Sequence, residues 1–191
     1  MDFKASVDKL SIEEKVRLLT GEDFWTTYAL PSIGLRKMVV SDGPSGVRGE
    51  LWDERSPSLS LPSATAFAST WDKDVLGQVG EVMAHEARSK NVDVVLGPTI
   101  NLHRSPLGGR HFEAYSEDAV LSGKLASAFV NGIQGQGVGA CLKHFIANDA
   151  ETDRHTVNNI LDEETLREVY ALPFEIAVRD SNPWTIMSSY N

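Results

Sequence analysis

Short apolar runs recur along the chain, and each ends in polar or turn-forming residues. The runs cover residues 38–40, 92–96, 139–142 and 184–187. Short continuous apolar runs bounded by turn signals are typical of buried strands in a parallel sheet, where helices cover both faces. The pattern therefore predicts four buried parallel strands.

Amphipathic helices are predicted between these strands. Apolar residues at helical spacing indicate helices over 73–89, 118–133 and 163–178, with the last disturbed at Pro173. The three later strands begin at residues 92, 139 and 184, so that they lie 47 and 45 residues apart. Such a period suits a strand, a helix and two connecting loops, and it predicts repeated βα units.

A further short helix is predicted near the N-terminus. Ser11 followed by Glu14 is a capping-box pattern. The apolar residues Val16, Leu18 and Leu19 then supply one face, which we expect to be packed against the rest of the chain.

Repeated βα units fit either an open doubly wound sheet or a (β/α) barrel. The glycine-rich phosphate motifs of nucleotide-binding sheets do not occur, and polar residues gather after the strands, where barrel enzymes place their sites. The barrel is therefore favoured. A closed barrel takes about 250 residues, whereas this chain has 191. The sequence thus predicts an α/β fold that is a partial (β/α)8 TIM-like barrel, incomplete at its C-terminal side.

Composition excludes several classes of protein. Asp and Glu outnumber Lys and Arg by 27 to 18, which gives a net charge of −9 and argues against a nucleic-acid partner. No apolar run reaches the ~18 residues of a membrane span, and the N-terminus lacks the apolar segment of a signal peptide, so a cytoplasmic location is expected. With Cys141 as the single cysteine and no H-E-x-x-H pattern, neither a metal nor a cofactor is predicted.

Groups of polar residues follow the strands and would converge on one rim of the barrel. They occupy residues 41–48, 108–113, 143–149 and 189–191. A sugar ring needs partners at several hydroxyls at once. Carboxylates can accept from neighbouring hydroxyls, while Lys, Arg and His are expected to donate to others. This collection indicates a carbohydrate substrate.

Four of these segments carry a resemblance to a known family. DGPSGVR at 42–48, GRHFEAYSED at 109–118, KHFIAND at 143–149 with ETDR at 151–154, and MSSYN at 187–191 resemble the ordered motifs of glycoside hydrolase family 3. The resemblance implies an N-terminal (β/α)8 barrel followed by an α/β sandwich domain, which is absent from residues 1–191. It also implies a retaining mechanism with an Asp nucleophile and a Glu general acid/base. Both carboxylates are expected beyond Asn191, so no catalytic residue is assigned within the chain.

The resemblance assigns sugar-binding roles to seven residues. Asp42 resembles the aspartate that grips the far hydroxyls of the terminal sugar, and Arg154 is a weaker match to a basic residue of the family. Glu113 is expected to pair with a basic residue of the site, with both it and Arg110 buried. The substrate-binding residues implied are Asp42, Arg110, Lys143, His144, Arg154, Met187 and Tyr190, of which the last two line the floor of the pocket.

Simpler interpretations stay open for several of these residues. Asp42 could be a turn former, Lys143-His144 an ordinary solvated pair at a strand end, and Arg110 with Glu113 a surface ion pair. KHFIAND differs from the K-H-F-P-G-H-G-D of the β-N-acetylglucosaminidase branch, which favours a β-glucosidase-like enzyme, with β-xylosidases not excluded. A missing downstream half or another chain is expected to complete the barrel. The alternative function is a non-catalytic carbohydrate-binding or assembly module that is completed by another chain.

Overall fold

A computed structural model describes residues 3–51 and 53–191. Its centre is a four-stranded parallel sheet with the strand order β1-β2-β3-β4. The strands are β1 (Val40–Ser41), β2 (Val94–Val95), β3 (Gly139–Phe145) and β4 (Thr185–Ser188).

Each strand pairs in parallel with the next strand along the chain. The register places Val40 opposite Val94, Val94 opposite Gly139, and Cys141 opposite Thr185. An open doubly wound sheet reverses its strand order at a switch point, whereas a barrel adds strands consecutively. The observed order is that of a barrel, and it brings all four strand ends to one edge of the sheet.

Helices connect the strands and cover the sheet. Asp72, Asp118 and Asp162 cap three of them by accepting hydrogen bonds from free backbone amides of the first turn. Short 3₁₀ turns occur at Pro31–Ile33 and His111–Glu113. The α-helices are α1 (Phe3–Asp8), α2 (Ile12–Leu18), α3 (Ala64–Ala68), α4 (Lys73–Ser89), α5 (Ala119–Gly135), α6 (Glu163–Thr165) and α7 (Leu172–Ser181).

The core lies between the sheet and the long helices α4 and α5. Leu76 and Met83 of α4 and Leu125 and Phe129 of α5 are all at most 2% exposed. The two helices cross closely at Gly132, where a Cβ atom would stand 2.1 Å from the backbone oxygen of Gly77. This close packing holds both helices against β2 and β3.

Three predictions need correction. The single helix over 163–178 is divided into α6, a π-helical turn at Leu166–Tyr170, and α7, which has Pro173 in its first turn, where the missing amide costs nothing. The third strand extends to Phe145 rather than ending at 142. Helix α2 forms with its predicted capping box, but its apolar face is exposed rather than packed, with Val16 at 53%.

Strand β4 forms an edge of the described sheet. Its residues are mostly accessible, and Ile186 is 47% exposed. An accessible strand with free backbone groups is a surface on which another strand can pair. The described sheet therefore has an accessible edge at β4.

Candidate functional site

A tight turn after β1 positions Asp42. Arg48 donates its backbone N–H to the backbone oxygen of Asp42 at 3.1 Å, which closes the loop. Gly43 has φ +131°, and a Cβ atom there would lie 1.7 Å from the backbone oxygen of Gly46. Only glycine fits this turn without displacing the loop, so the local sequence fixes the backbone position of Asp42.

The segment after β2 runs alongside β3 and carries a second set of polar residues. Lys143 donates its backbone N–H to the oxygen of Pro98 at 3.1 Å, and Ile100 donates to the oxygen of Lys143 at 2.9 Å. This pairing extends the parallel sheet beyond β2. It places Asn101 beside His144, in the wall at the end of the strands.

Lys143 lies at the centre of a buried charge cluster. Its side chain is 2% exposed, with Nζ 3.3 Å from Oε2 of Glu113 and 3.9 Å from Oδ1 of Asp42. Glu113 is 4% exposed in its side chain and also contacts Arg110. The predicted pairing of Glu113 is thus present. Glu113 is buried as expected, while the Arg110 side chain is 25% exposed.

Glu151 extends this cluster toward Arg154. Its carboxylate lies 2.8 Å from an Nη atom of Arg154 and 3.8 Å from one of Arg110, and it accepts a hydrogen bond from Asn148 at 3.3 Å. Three cations and three carboxylates therefore alternate along the rim, and their charges balance. We call this set, which comprises Asp42, Lys143, Glu113, Arg110, Glu151 and Arg154, the charge cluster.

His144 is buried beside the charge cluster and is held by Asn101. Asn101 Oδ1 accepts from the His144 backbone N–H at 2.8 Å and lies 3.0 Å from ring Nδ1, while Asn101 Nδ2 donates to the His144 backbone oxygen at 3.0 Å. Burial, reinforced by the positive charges of Arg110, Lys143 and Arg154, lowers the pKa of His144 to about 3. The ring is therefore neutral at pH 7.

Because the ring is neutral, it carries a single proton and differs in charge from the lysine and arginine side chains of the site. Asn101 Oδ1 can only accept, so the 3.0 Å contact with ring Nδ1 favours the tautomer that is protonated there. In that tautomer Nε2 is unprotonated and accepts a hydrogen bond. The lysine and arginine side chains are the donors of the site.

Tyr190 contacts two neighbouring side chains through its ring, and Met187 lies on strand β4. The Arg154 guanidinium carbon lies 5.6 Å from the centre of the Tyr190 ring, and the His155 ring lies 4.4 Å from it. Tyr190 is 64% exposed, and Met187 is half-buried on β4. Both residues lie at the same edge of the sheet as the charge cluster.

Comparison with known proteins identifies the family. Residues 23–191 match the model described as the glycosyl hydrolase family 3 N terminal domain. The chain belongs to glycosyl hydrolase family 3.

Curated family 3 proteins share high identity with the chain along almost all its length. Beta-glucosidase B of Emericella nidulans is 46% identical over 189 residues, which are 99% of this chain and 22% of that protein. A putative beta-glucosidase of Schizosaccharomyces pombe is 46% identical over 190 residues, covering 23% of its length. The chain thus spans between a fifth and a quarter of the length of these relatives.

Solved structures of family 3 proteins superpose on the chain. The beta-glucosidase of Kluyveromyces marxianus in complex with glucose has a TM-score of 0.96 and 45% identity, and the match covers 100% of this chain and 23% of that one. Beta-glucosidase 3B of Thermotoga neapolitana in complex with glucose has a TM-score of 0.92 and 44% identity, covering 98% and 29%. The predicted α/β class and partial TIM-like barrel are confirmed.

The family 3 motifs lie partly in the strand rather than in loops. Lys143 and His144 were predicted to follow the third strand, but they are in β3 itself. Polar side chains at a strand end resemble a loop in sequence. Here they stay in the strand because their charges and ring are satisfied by Glu113 and Asn101.

Three residues of the site were assigned no role by sequence reasoning. Asn101 and Glu151 were not assigned any role. Asp149 was quoted only within its motif, yet its Oδ1 accepts from the Leu102 backbone N–H at 2.8 Å, and burial raises its pKa. A signal for Asn101 was present, since a single amide between Ile100 and Leu102 directly after a buried strand is a polar residue in an apolar setting.

The space around the charge cluster shows where a ligand can enter. The side chains around Asn101, Glu113 and His144 enclose only about 10 Å³, which is about enough for one water molecule. A sugar ring must therefore lie on the open side, where the Asp42 side chain is 50% exposed. A larger groove of about 750 Å³ lies between α4 and α5, but the charged residues that line it are exposed.

Within 3–51 and 53–191, no group of three or more His, Cys, Asp or Glu residues is placed to hold a metal ion. Within the same residues, no helix is both long and apolar enough to cross a membrane.

Proposed function

We propose that this chain forms the sugar-binding wall of a retaining β-glucosidase that hydrolyses terminal, non-reducing β-D-glucosyl residues. The charge cluster carries the proposal, because it places buried and half-buried donors and acceptors together at the carboxyl ends of β1, β2 and β3. Barrel enzymes bind their substrates at this end. Two family relatives with superposable folds have structures described as complexes with glucose, which supports glucose as the ligand.

The chemistry of the charge cluster suits a polyhydroxylated ring. Asp42 is the most exposed of its carboxylates, so its oxygens can accept from two neighbouring hydroxyls. Lys143, Arg110 and Arg154 can only donate, whereas His144 Nε2 can only accept. Each hydroxyl can thus find both a donor and an acceptor, and charge-assisted bonds of this kind discriminate strongly between substrates.

Cleavage of the glycosidic bond needs further groups. A retaining enzyme uses two carboxyl groups about 5 to 5.5 Å apart on opposite sides of the scissile bond. Glu113 and Glu151 are already paired with buried or half-buried cations, which suits positioning rather than proton transfer. We place the Asp nucleophile and the Glu acid/base beyond Asn191, with the Glu in an α/β sandwich domain, and Met187 and Tyr190 on the pocket floor beside the nucleophile.

A mechanism-based label tests this division. The full-length protein is incubated with an aryl 2-deoxy-2-fluoro-β-glucoside, which accumulates the glycosyl-enzyme intermediate. Digestion and mass spectrometry should place the adduct on an aspartate outside residues 1–191. An adduct on any residue within 1–191, or no hydrolysis of aryl β-glucosides by the full-length protein, would overturn the proposal.

The exposed β4 edge favours a second candidate, a non-catalytic carbohydrate-binding or assembly module completed by another chain. It predicts an oligomer by light scattering, glucose binding by calorimetry, and no hydrolysis under any condition. Recovery of β-glucosidase activity on mixing residues 1–191 with a downstream fragment would exclude it. The cytoplasmic location stays a prediction from the sequence.

A further inference from the structure

Asn101 makes three contacts with a single neighbour. Two of them are backbone hydrogen bonds, because Asn101 Oδ1 accepts the His144 N–H at 2.8 Å and Nδ2 donates to the His144 carbonyl at 3.0 Å. These two bonds fix which end of the amide is oxygen. The third contact, 3.0 Å from that oxygen to ring Nδ1, is therefore with an acceptor.

The contacts are protected from water. Asn101 is 7% exposed and His144 is 5% exposed. Asn101 is held between Ile100 and Leu102, which are both at most 2% exposed. The backbone amide of Leu102 is bound in turn by Asp149 at 2.8 Å. The two hydrogen bonds to the His144 backbone thus hold the Asn101 side-chain amide, so that it cannot rotate freely to present its nitrogen to the ring.

We infer that Asn101 is a positioning residue, which holds His144 as the Nδ1–H tautomer so that Nε2 accepts a hydrogen bond from one hydroxyl of the bound sugar. The hydrogen bond from the sugar to Nε2 rests on the proposed function, whereas the assignment of the tautomer does not. Lys143, Arg110 and Arg154 can offer only donors, and both oxygens of Glu113 face cations. With Nδ1 protonated, His144 Nε2 has a lone pair and no proton, so it is an acceptor that requires a hydroxyl hydrogen, and a substituent without one is rejected.

The tautomer is tested by ¹⁵N NMR of histidine-labelled full-length protein at pH 7, with His144→Gln to assign the signal. The wild type should show a neutral ring protonated at Nδ1. Asn101→Ala should lose this pure tautomer. Asn101→Asp keeps the acceptor and should keep Nδ1 protonated, which provides an answer if the alanine variant does not fold.

The matched control is Asn131→Ala, which removes an exposed asparagine on α5 outside the site. Its His144 signal should equal that of the wild type. An Nε2–H tautomer or an imidazolium in the wild type, or an unchanged signal in Asn101→Ala, would overturn the inference.

The role toward the sugar is tested with aryl β-glucosides that carry fluorine at C3, C4 or C6. Fluorine cannot donate a hydrogen bond, and its electronic effect on the reaction is the same for every variant. The fluorine penalty is the loss in kcat/KM relative to the unsubstituted aryl β-glucoside. For one of the three substrates, this penalty should be about tenfold larger in the wild type than in Asn101→Ala, in line with the loss of one buried hydrogen bond.

The outcomes separate the two proposals. Hydrolysis with identical fluorine penalties in the wild type and in Asn101→Ala contradicts the positioning role and leaves the proposed function intact. No hydrolysis of any aryl β-glucoside contradicts the proposed function, and the NMR result then decides the positioning of His144 alone.

Discussion

Replacing Glu113 by Gln should destabilise β3 far more than breaking a surface ion pair. The substitution keeps the shape of the side chain and removes its charge. Lys143, which is 2% exposed, then loses the carboxylate 3.3 Å away and keeps only Asp42 at 3.9 Å, whose own side chain is half exposed. Removing one partner of a buried pair costs about 3–5 kcal/mol. Since Asp42 still compensates in part, we expect the lower end, about 3 kcal/mol.

The matched control is Glu163→Gln on the surface. Glu163 also pairs with an arginine, at 2.8 Å from Arg167, but the two side chains are 76% and 73% exposed. Such a pair contributes at most about 0.5 kcal/mol. Both variants remove one negative charge from the same protein, so the difference between them isolates burial.

Hydrogen–deuterium exchange of β3 peptides in the full-length protein measures the effect locally. A loss of about 3 kcal/mol corresponds to exchange about a hundredfold faster. Glu163→Gln should change the rate by no more than about twofold. If β3 exchanges at the same rate in both variants, the charges around Lys143 are effectively solvated, and the reasoning about the charge cluster is wrong.

Three further predictions concern single residues. The pKa of His144 in the folded state is lowered to about 3. Between pH 6.5 and 3, the unfolded state therefore binds a proton that the folded state does not. The free energy of unfolding should fall by up to about 1.4 kcal/mol per pH unit as the pH drops through that window. Denaturant unfolding of the wild type and His144→Gln measures the difference, and parallel pH dependence would contradict it. Burial raises the pKa of the Cys141 thiol, so iodoacetamide should label it at pH 8 only after denaturation. Mass spectrometry measures the labelling. Rapid labelling of the folded protein would show that Cys141 is open to solvent. Gly43→Ala should lower kcat/KM for aryl β-glucosides by at least about tenfold, because the new Cβ would collide with the backbone of Gly46 beside Asp42. The control Gly135→Ala, which has open space around its Cβ, should leave kcat/KM unchanged.

Features set by neighbouring residues could be predicted from the sequence. The capping box of Ser11 and Glu14, the bounds of α4 and the start of α5 at Asp118 all depend on contacts within a few residues, and all three are present. The repeated βα units followed from the period of the apolar runs. These features need no knowledge of distant parts of the chain.

Features set by distant partners could not be predicted in the same way. Lys143 remains in a strand because Glu113 approaches it from 30 positions earlier, and Asn101 meets His144 across 43 positions. The apolar face of α2 formed as predicted, but whether it is covered depends on tertiary neighbours. The family resemblance indicated which residues form the site, whereas the protonation of His144 became visible only from its contacts.

Glucose binding by the full-length protein and its Asp42→Asn variant tests the central claim most directly. Asn keeps the size of the side chain but removes the charge from the most exposed carboxylate of the charge cluster. Calorimetry should show that affinity falls by about tenfold to a hundredfold, as expected for a lost charge-assisted hydrogen bond. The control Asp74→Asn, an exposed aspartate on α4, should bind as the wild type does. Equal affinity in the wild type and Asp42→Asn, or no binding of glucose by the wild type, would contradict the claim that this wall binds the terminal sugar.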